Sequence, residues 1–187
     1  MEDVEIVELF WQRSEKAVSE VEIKYKNYCR SIAFGILRDE EDANECLNDT
    51  WLGAWNAIPP ARPLVLRTFL GKITRNISLN VLDKQNTEKR GFGQVPLALS
   101  ELEDCVPVSA SDPAKVTEQA SITQAIDSFL GTLNSVHRKV FVRRYWYASS
   151  LEEIAGDYDM TLSKVKSILF RLRKKLKSEL EKEGISL

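Results

Sequence analysis

The chain has 187 residues, 43% of them hydrophobic and 29% charged, and a formal net charge of -2. That length holds one large or two small domains, each able to bury a core. The near-neutral total hides an alternation: residues 1–60 sum to -7, 61–95 to +5, 96–135 to -5 and 136–187 to +5, so two candidate phosphate-facing blocks alternate with acidic ones. Cys29, Cys46 and Cys105 are odd in number and lack C-x-x-C spacing, which argues against both a disulfide framework and a zinc site. Cys29 and Cys46 fall on apolar helical positions, as core fillers do. The N-terminus is acidic where a signal peptide is basic, and no run approaches the roughly 20 apolar residues that cross a bilayer. A cytoplasmic protein without membrane insertion is expected.

Apolar recurrence predicts helices over residues 3–13 and 15–37, the second through Val18, Val21, Tyr25, Tyr28, Ile32 and Ile36. Asp39 can cap a helix that Pro59-Pro60 stops, with Ala43, Leu47, Thr50, Ala54 and Ile58 as its buried stripe. Asp42, Glu45 and Asp49 line another face of it, beside Leu52. Such a row suits a basic partner helix, or is an ordinary solvated face; spacing alone leaves both open. Three prolines in Pro59–Pro63 make a stiff connection. A helix from Leu66 to about Gln85 then carries Leu66, Leu70, Ile73, Ile77 and Val81 inside. Lys72 and Arg75 point away from that stripe with Leu79 and Leu82, Asn76 lies on the flank, and Arg62, Arg67, Lys84, Lys89 and Arg90 extend the positive zone. Leucines exposed between cations would pack against unstacked bases as well as phosphates.

Residues 91–112, with Gly91, Gly93, Pro96 and Pro107 around the acidic stretch Glu101–Asp104, sustain no helical period and read as an interdomain linker. Helices follow from near Pro113 to Gly131, through Ile122, Ile126, Phe129 and Leu130, and from Asn134 to Trp146, with Val136, Val140 and Phe141 inside. Tyr145-Trp-Tyr147 reads as core rather than a stacking platform. No stretch reads as a strand, so the expected fold is all-α, in two small helical domains.

The C-terminal stretch is the most informative. Ser150 caps a short helix with Glu152 and Glu153 in its first turn, a turn follows around Asp159, and Thr161 caps a long helix. Leu162, Val165, Leu169, Leu172 and Leu176 form one apolar stripe of that helix. The other side carries Ser163, Lys164, Lys166, Ser167, Phe170, Arg171, Arg173 and Lys174, and no acidic residue interrupts Ser163–Lys177. A helix-turn-helix with small hydroxyls near its leading end and cations behind suits a major groove: the hydroxyls permit approach to base edges and the cations contact phosphates. A solvated lysine-rich face is the plainer reading. His137, the single histidine, has no metal-ligand neighbour, and no phosphate-loop, dinucleotide or nucleophile-elbow motif occurs. No cofactor, metal, catalytic residue or small-molecule substrate is therefore expected.

These features together resemble the sigma factors of bacterial RNA polymerase, of the small two-domain extracytoplasmic-function (ECF) type. Asp42-Ala-Asn-Glu-Cys-Leu-Asn-Asp49-Thr-Trp51 is similar to the family's acidic segment that grips the polymerase coiled-coil. The resemblance assigns Asp42, Glu45, Asn48, Asp49 and the adjoining Leu52 to core polymerase binding. Thr68–Ile77, with Arg75-Asn76, is similar to the helix that reads and melts the −10 element. This assigns Arg62, Arg67, Lys72, Arg75, Asn76 and Lys84 to −10 DNA, and the loop Ile58 to Leu66 to holding a flipped base. Ile154-Ala, Val165-Lys-Ser167 and Arg171–Leu176 match the family's −35-binding helix-turn-helix. Asp159 stands where a glycine is usual, and Asp157-Tyr158 where the family prefers apolar residues. The implied organisation is a region 2-like domain over 1–90, a linker over 91–112 and a region 4-like domain over 113–187. The implied partners are bacterial core RNA polymerase, promoter DNA and an anti-sigma factor. Two rivals are a helix-turn-helix regulator that binds DNA as a dimer without polymerase, and a helical adaptor with incidental basic faces.

Overall fold

The computed structural model describes residues 1–90, 94–103 and 116–185, and among them there is no strand. The chain divides into two compact units, Met1–Gly91 and Phe92–Leu187, each with its own core. Cys105, Pro113 and the expected linker residues from 104 onward lie outside the described residues.

Unit 1 contains α1 (Asp3–Trp11), α2 (Lys16–Leu37), α3 (Glu40–Ala57) and α4 (Leu66–Arg90). Asp39 caps α3 as expected, its carboxylate accepting from the backbone N–H groups of Glu41 and Asp42. Arg38 ends α2 in the left-handed conformation at φ 59°, which turns the chain sharply into that cap. Ile6, Phe10, Val21, Cys29, Ala54, Ile58, Leu66 and Leu70 are closed off from solvent, with the Phe10 ring edge-on to Trp55 at 6.2 Å. Cys29 and Cys46 are buried thiols, as expected.

α4 buries a different line from the one its aliphatic residues suggest. Thr74 and Ser78 are fully buried, whereas Ile73, Ile77 and Val81 are only partly so. Each hydroxyl donates to the carbonyl one turn back, Thr74 to Leu70 at 2.9 Å and Ser78 to Thr74 at 2.8 Å. On α3, Thr50 does the same to Cys46 and meets the Thr74 hydroxyl at 3.2 Å. Satisfied this way, Thr and Ser behave as small buried residues and let helices approach closely. The rotation carries Leu79 inward to 7% exposure and leaves Leu82 partly covered. The expected outward leucines are thus part of the packing.

Unit 2 contains α5 (Gln94–Glu103), α6 (Val116–Thr132), α7 (Ser135–Tyr145), α8 (Leu151–Asp157) and α9 (Leu162–Lys182). α5 is the main difference from the sequence reading, because it lies where a structureless linker was expected. Its glycines and prolines flank the helix rather than interrupt it, apart from Pro96 in the first turn, where no helical N–H partner is lost. Ala98 is 3% exposed and joins the core of unit 2, and Leu102 lies against it. Asn134, Ser150 and Thr161 cap α7, α8 and α9 through their side-chain oxygens, and Ser150 forms a reciprocal box with Glu153. Asp159 takes φ 50° at the turn between α8 and α9, so the absent glycine is accommodated. Val136 and Leu162 are 41% and 40% exposed, against expectation, because each sits in the first turn of its helix. Tyr145 is buried, while Trp146 is 41% exposed.

A methyl group on Gly71 would lie 2.6 Å from the Tyr28 hydroxyl and 3.3 Å from Ile32 Cδ1. Gly71→Ala should therefore destabilise unit 1 by about 1–3 kcal/mol despite its better helix propensity. Gly131→Ala meets nothing within 4 Å and should be neutral or stabilising by up to ~1 kcal/mol. Urea unfolding followed by circular dichroism separates the two.

Candidate protein and nucleic-acid interfaces

On α3, Glu45, Asn48 and Asp49 are exposed and Leu52 is 59% exposed. Asp42 is partly covered and accepts a 2.9 Å hydrogen bond from Gln85 of α4, so α4 fixes the start of the row. Beside Asn48 and Leu52 lies a cleft of about 680 Å³ whose walls include Val18, Trp51 and Trp55, together with Glu15 and Glu22. The sequence reading missed this cleft. Its signal was the Trp51/Trp55 pair one helical turn apart, next to Val18 and Glu22 of α2.

The basic zone of α4 is less uniform than its sequence. Lys72, Asn76 and Lys84 are exposed. Arg75 is partly buried, and that burial lowers its guanidinium pKa. Arg67 lies 4.5 Å from the centre of the Tyr28 ring. Arg62 lies 4.8 Å from that of Trp11 and pairs with Glu8 at 2.8 Å. Both residues remain exposed overall while helping to anchor the Pro59–Val65 loop and the start of α4. The loop itself presents Leu64, fully exposed, and Val65 at 57%.

α9 turns Val165, Leu169, Leu172, Leu176 and Leu180 into the core, each at most 5% exposed. Ser163, Lys164, Lys166, Ser167, Arg171 and Lys174 are thereby exposed, and Phe170 is 62% exposed among them. Here the structure brings the expected DNA-facing side chains onto one surface, with one exception.

The exception is Arg173. Its guanidinium donates to Glu101 of α5 at 3.1 Å and to the Tyr145 hydroxyl at 2.8 Å. Glu101 also accepts from Arg144 at 2.6 Å and from the Tyr145 hydroxyl at 3.0 Å. Arg144 is only 2% exposed and donates in addition to the Ser149 carbonyl at 3.0 Å. A buried guanidinium needs a counter-charge, and Glu101 supplies it. The sequence reading missed this role for Glu101 because the residue stood in the expected linker. Burial favours the neutral carboxyl of Glu101, but the hydrogen bonds from Arg144 and Tyr145 and the charges of Arg144 and Arg173 outweigh it, holding its pKa below the ordinary range.

Among the described residues no group of His, Cys, Asp and Glu forms a metal site, and no helix is long and apolar enough to cross a membrane. Two all-α units, one with an exposed acidic row and a basic helix and the other with a helix-turn-helix, define a class of DNA-directed protein. Residues 23–88 match the family model Sigma-70 region 2, and residues 129–178 match Sigma-70, region 4. The chain belongs to the sigma-70 family. It is a sigma factor for promoter recognition and transcription initiation, with core RNA polymerase and promoter DNA as partners. The dimeric-regulator alternative leaves the region 2 match without a role. A solved structure titled as CnrH in complex with the cytosolic domain of CnrY aligns with 96% of this chain and 97% of its own, at 19% identity and a TM-score of 0.40.

Because the Glu101 pKa is depressed in the folded protein, the stability it contributes is present above the unfolded-state pKa and is lost as pH falls through the folded one. Thermal unfolding of the wild type from about pH 6 to about pH 3 should show that loss below about pH 4.5. Glu101→Gln should be less stable near neutrality and show a shallower acid dependence.

Proposed function

We propose that this chain is an ECF-type alternative sigma factor whose acidic α3 row docks on core polymerase and whose two cationic surfaces divide the promoter between them. The observation that carries the reading is the coincidence of each exposed surface with one matched region. The α3 row and the α4 cations fall within the region 2 match, and the α9 face within the region 4 match. Residues 89–128 separate the two matched segments, which suits the small two-region type.

In this mechanism Glu45, Asn48 and Asp49 meet a basic helix of polymerase, Asp42 is positioned by Gln85, and Leu52 with the Trp51/Trp55 cleft takes an apolar side chain. Lys72, Arg75, Asn76 and Lys84, with Arg62 and Arg67, follow the −10 strand. Ser163, Lys164, Lys166, Ser167, Phe170, Arg171 and Lys174 enter the major groove at −35. Opening the duplex costs about 1.4 kcal/mol per base-pair step in lost stacking. Bases held in the loop before α4 and phosphate contacts with counterion release offset it. The protein supplies binding and strand capture with no cofactor or metal. Phosphodiester synthesis belongs to the polymerase, so the chain itself is not an enzyme, and it acts in the cytoplasm. An anti-sigma factor is the remaining expected partner. The domain assignment follows as polymerase and −10 functions in 1–90 and −35 recognition in 113–187.

Two variants test the separation of surfaces. Glu45→Arg with Asp49→Arg should abolish co-elution with core polymerase on size exclusion while leaving the circular dichroism spectrum unchanged. Co-elution of that folded variant would remove the docking assignment. Lys166→Ala with Arg171→Ala should leave co-elution intact but weaken promoter-directed transcription, reducing the salt slope of promoter binding by about 2.

A further inference from the structure

The DNA-facing residues of unit 2 assigned so far all lie on α9. A hollow of about 320 Å³ between the first turn of α7 and the middle of α9 adds to them. Its apolar base is formed by Leu133, Ile168 and Leu172, each at most 8% exposed. His137 of α7 lines it opposite Arg171 and Lys175 of α9, and among the described residues no carboxylate does. From the sequence His137 has no metal-ligand neighbour; in the fold its neighbours across the hollow are cations.

The way Lys175 is held separates it from other cations of unit 2. Arg143 is matched to Asp157 at 2.9 Å, and Arg144 and Arg173 are matched to Glu101 at 2.6 and 3.1 Å. Lys175 donates to the Thr132 hydroxyl at 3.0 Å and lies 5.9 Å from the centre of the Phe129 ring. Neutral groups thus fix the ammonium in place and leave its charge uncompensated. Arg138, next to His137 in the chain, donates to the carbonyls of Leu130, Gly131 and Leu133 at 2.8, 3.3 and 3.0 Å. Those oxygens, which would repel an anion beside the hollow, are already taken up.

We propose that His137 and Lys175 seat a further backbone phosphate of duplex DNA, next to the one that Arg171 takes, and so bring α7 into the −35 surface. The proposal rests on the reading of α9 as the DNA-facing helix and extends that surface past Lys174. Lys175 follows Arg171 by four residues and Ser167 by eight, so it continues the same side of α9 about 6 Å farther along the axis than Arg171. A helix that puts its leading hydroxyls on base edges carries its trailing cations toward the sugar-phosphate rim of the groove. Continuity with Ser167 and Arg171, both exposed, selects a DNA phosphate over the carboxylate of a protein partner. Lys175 supplies the charge and the imidazole of His137 one further donor. The apolar base keeps water from one side of the anion, which strengthens both bonds.

The test is binding of the full chain to a fluorescent mixed-sequence duplex, followed by anisotropy across a salt series. Each phosphate neutralised contributes about 0.9 to the slope of log affinity against log salt. Lys175→Gln keeps a donor for Thr132 without the charge and should lower the slope by about 0.9, whereas Lys175→Arg should leave it at the wild-type value. Lys16→Gln, which removes the same charge from the exposed start of α2, should also leave it unchanged. His137→Ala should weaken binding about two- to tenfold at fixed salt. Because both side chains hold one phosphate, the double variant should lose less than the product of the two single fold-changes. A wild-type slope for Lys175→Gln, an equal drop for Lys16→Gln, wild-type affinity for folded His137→Ala, or fully multiplicative losses would each overturn the proposal. Lys166→Ala with Arg171→Ala separates the two readings. If that pair lowers the slope and Lys175→Gln does not, only the added seat falls; if neither does, the DNA-facing reading of α9 falls with it.

Discussion

The apolar line on α9 decides what unit 2 can present. Val165, Leu169, Leu172, Leu176 and Leu180 are almost completely buried and set the rotation of the helix about its axis. Once that rotation is set, each remaining side chain has no choice of direction, because 100° per residue distributes them around the cylinder. Ser163, Lys166, Ser167, Phe170 and Arg171 face outward as a consequence of what their neighbours bury. The caps at Thr161 and Ser150 and the left-handed Asp159 fix where the two helices begin and turn. The face that holds the core and the face proposed to meet DNA are thus two sides of the same helix, the second placed by the first.

Unit 1 solves the corresponding problem with hydroxyls. The Thr50, Thr74 and Ser78 side chains donate to helix carbonyls, so α3 and α4 meet across polar residues whose bonds are satisfied internally. Bulk aliphatics at those positions would hold the helices farther apart. Gly71 extends the same logic toward α2, where the Tyr28 hydroxyl occupies the space of its missing Cβ. The close approach is also what lets Gln85 of α4 reach Asp42 of α3. A basic helix assigned to DNA and an acidic helix assigned to polymerase are thereby braced against each other inside one unit.

Much of this was legible in the sequence, and the failures share a cause. Helix starts at Asp39, Ser150 and Thr161 were readable because a cap is a local device. The stripes of α2, α3 and α9 were readable because their period is uninterrupted. On α4 the period was followed through Ile73, Ile77 and Val81, yet the buried line runs through Thr74 and Ser78. Composition marks those residues as polar, and only their bonds to carbonyls one turn back make them interior. Leu79 was then placed outward by the same displaced rotation. α5 was missed because Pro96 and the flanking glycines dominate a window in which Ala98, Glu101 and Leu102 make the tertiary contacts. The cleft beside Leu52 needed α2 and α3 together, which no single-helix pattern supplies.

Charge runs show the limit most sharply. A run of cations counts potential phosphate contacts, but a cation is available only in so far as the fold has no use for it. Arg144 is used entirely, buried at 2% exposure against Glu101 and the Ser149 carbonyl. Arg67 and Arg62 are used in part, their guanidinium groups over the Tyr28 and Trp11 rings while the residues stay exposed overall. Lys166 and Arg171 are exposed and remain for a partner. Arg173 is used as well, its guanidinium held by the Glu101 carboxylate and the Tyr145 hydroxyl. The number of phosphates such a surface can neutralise is therefore set by the cations the fold leaves over, and it is smaller than the run of cations in the sequence suggests.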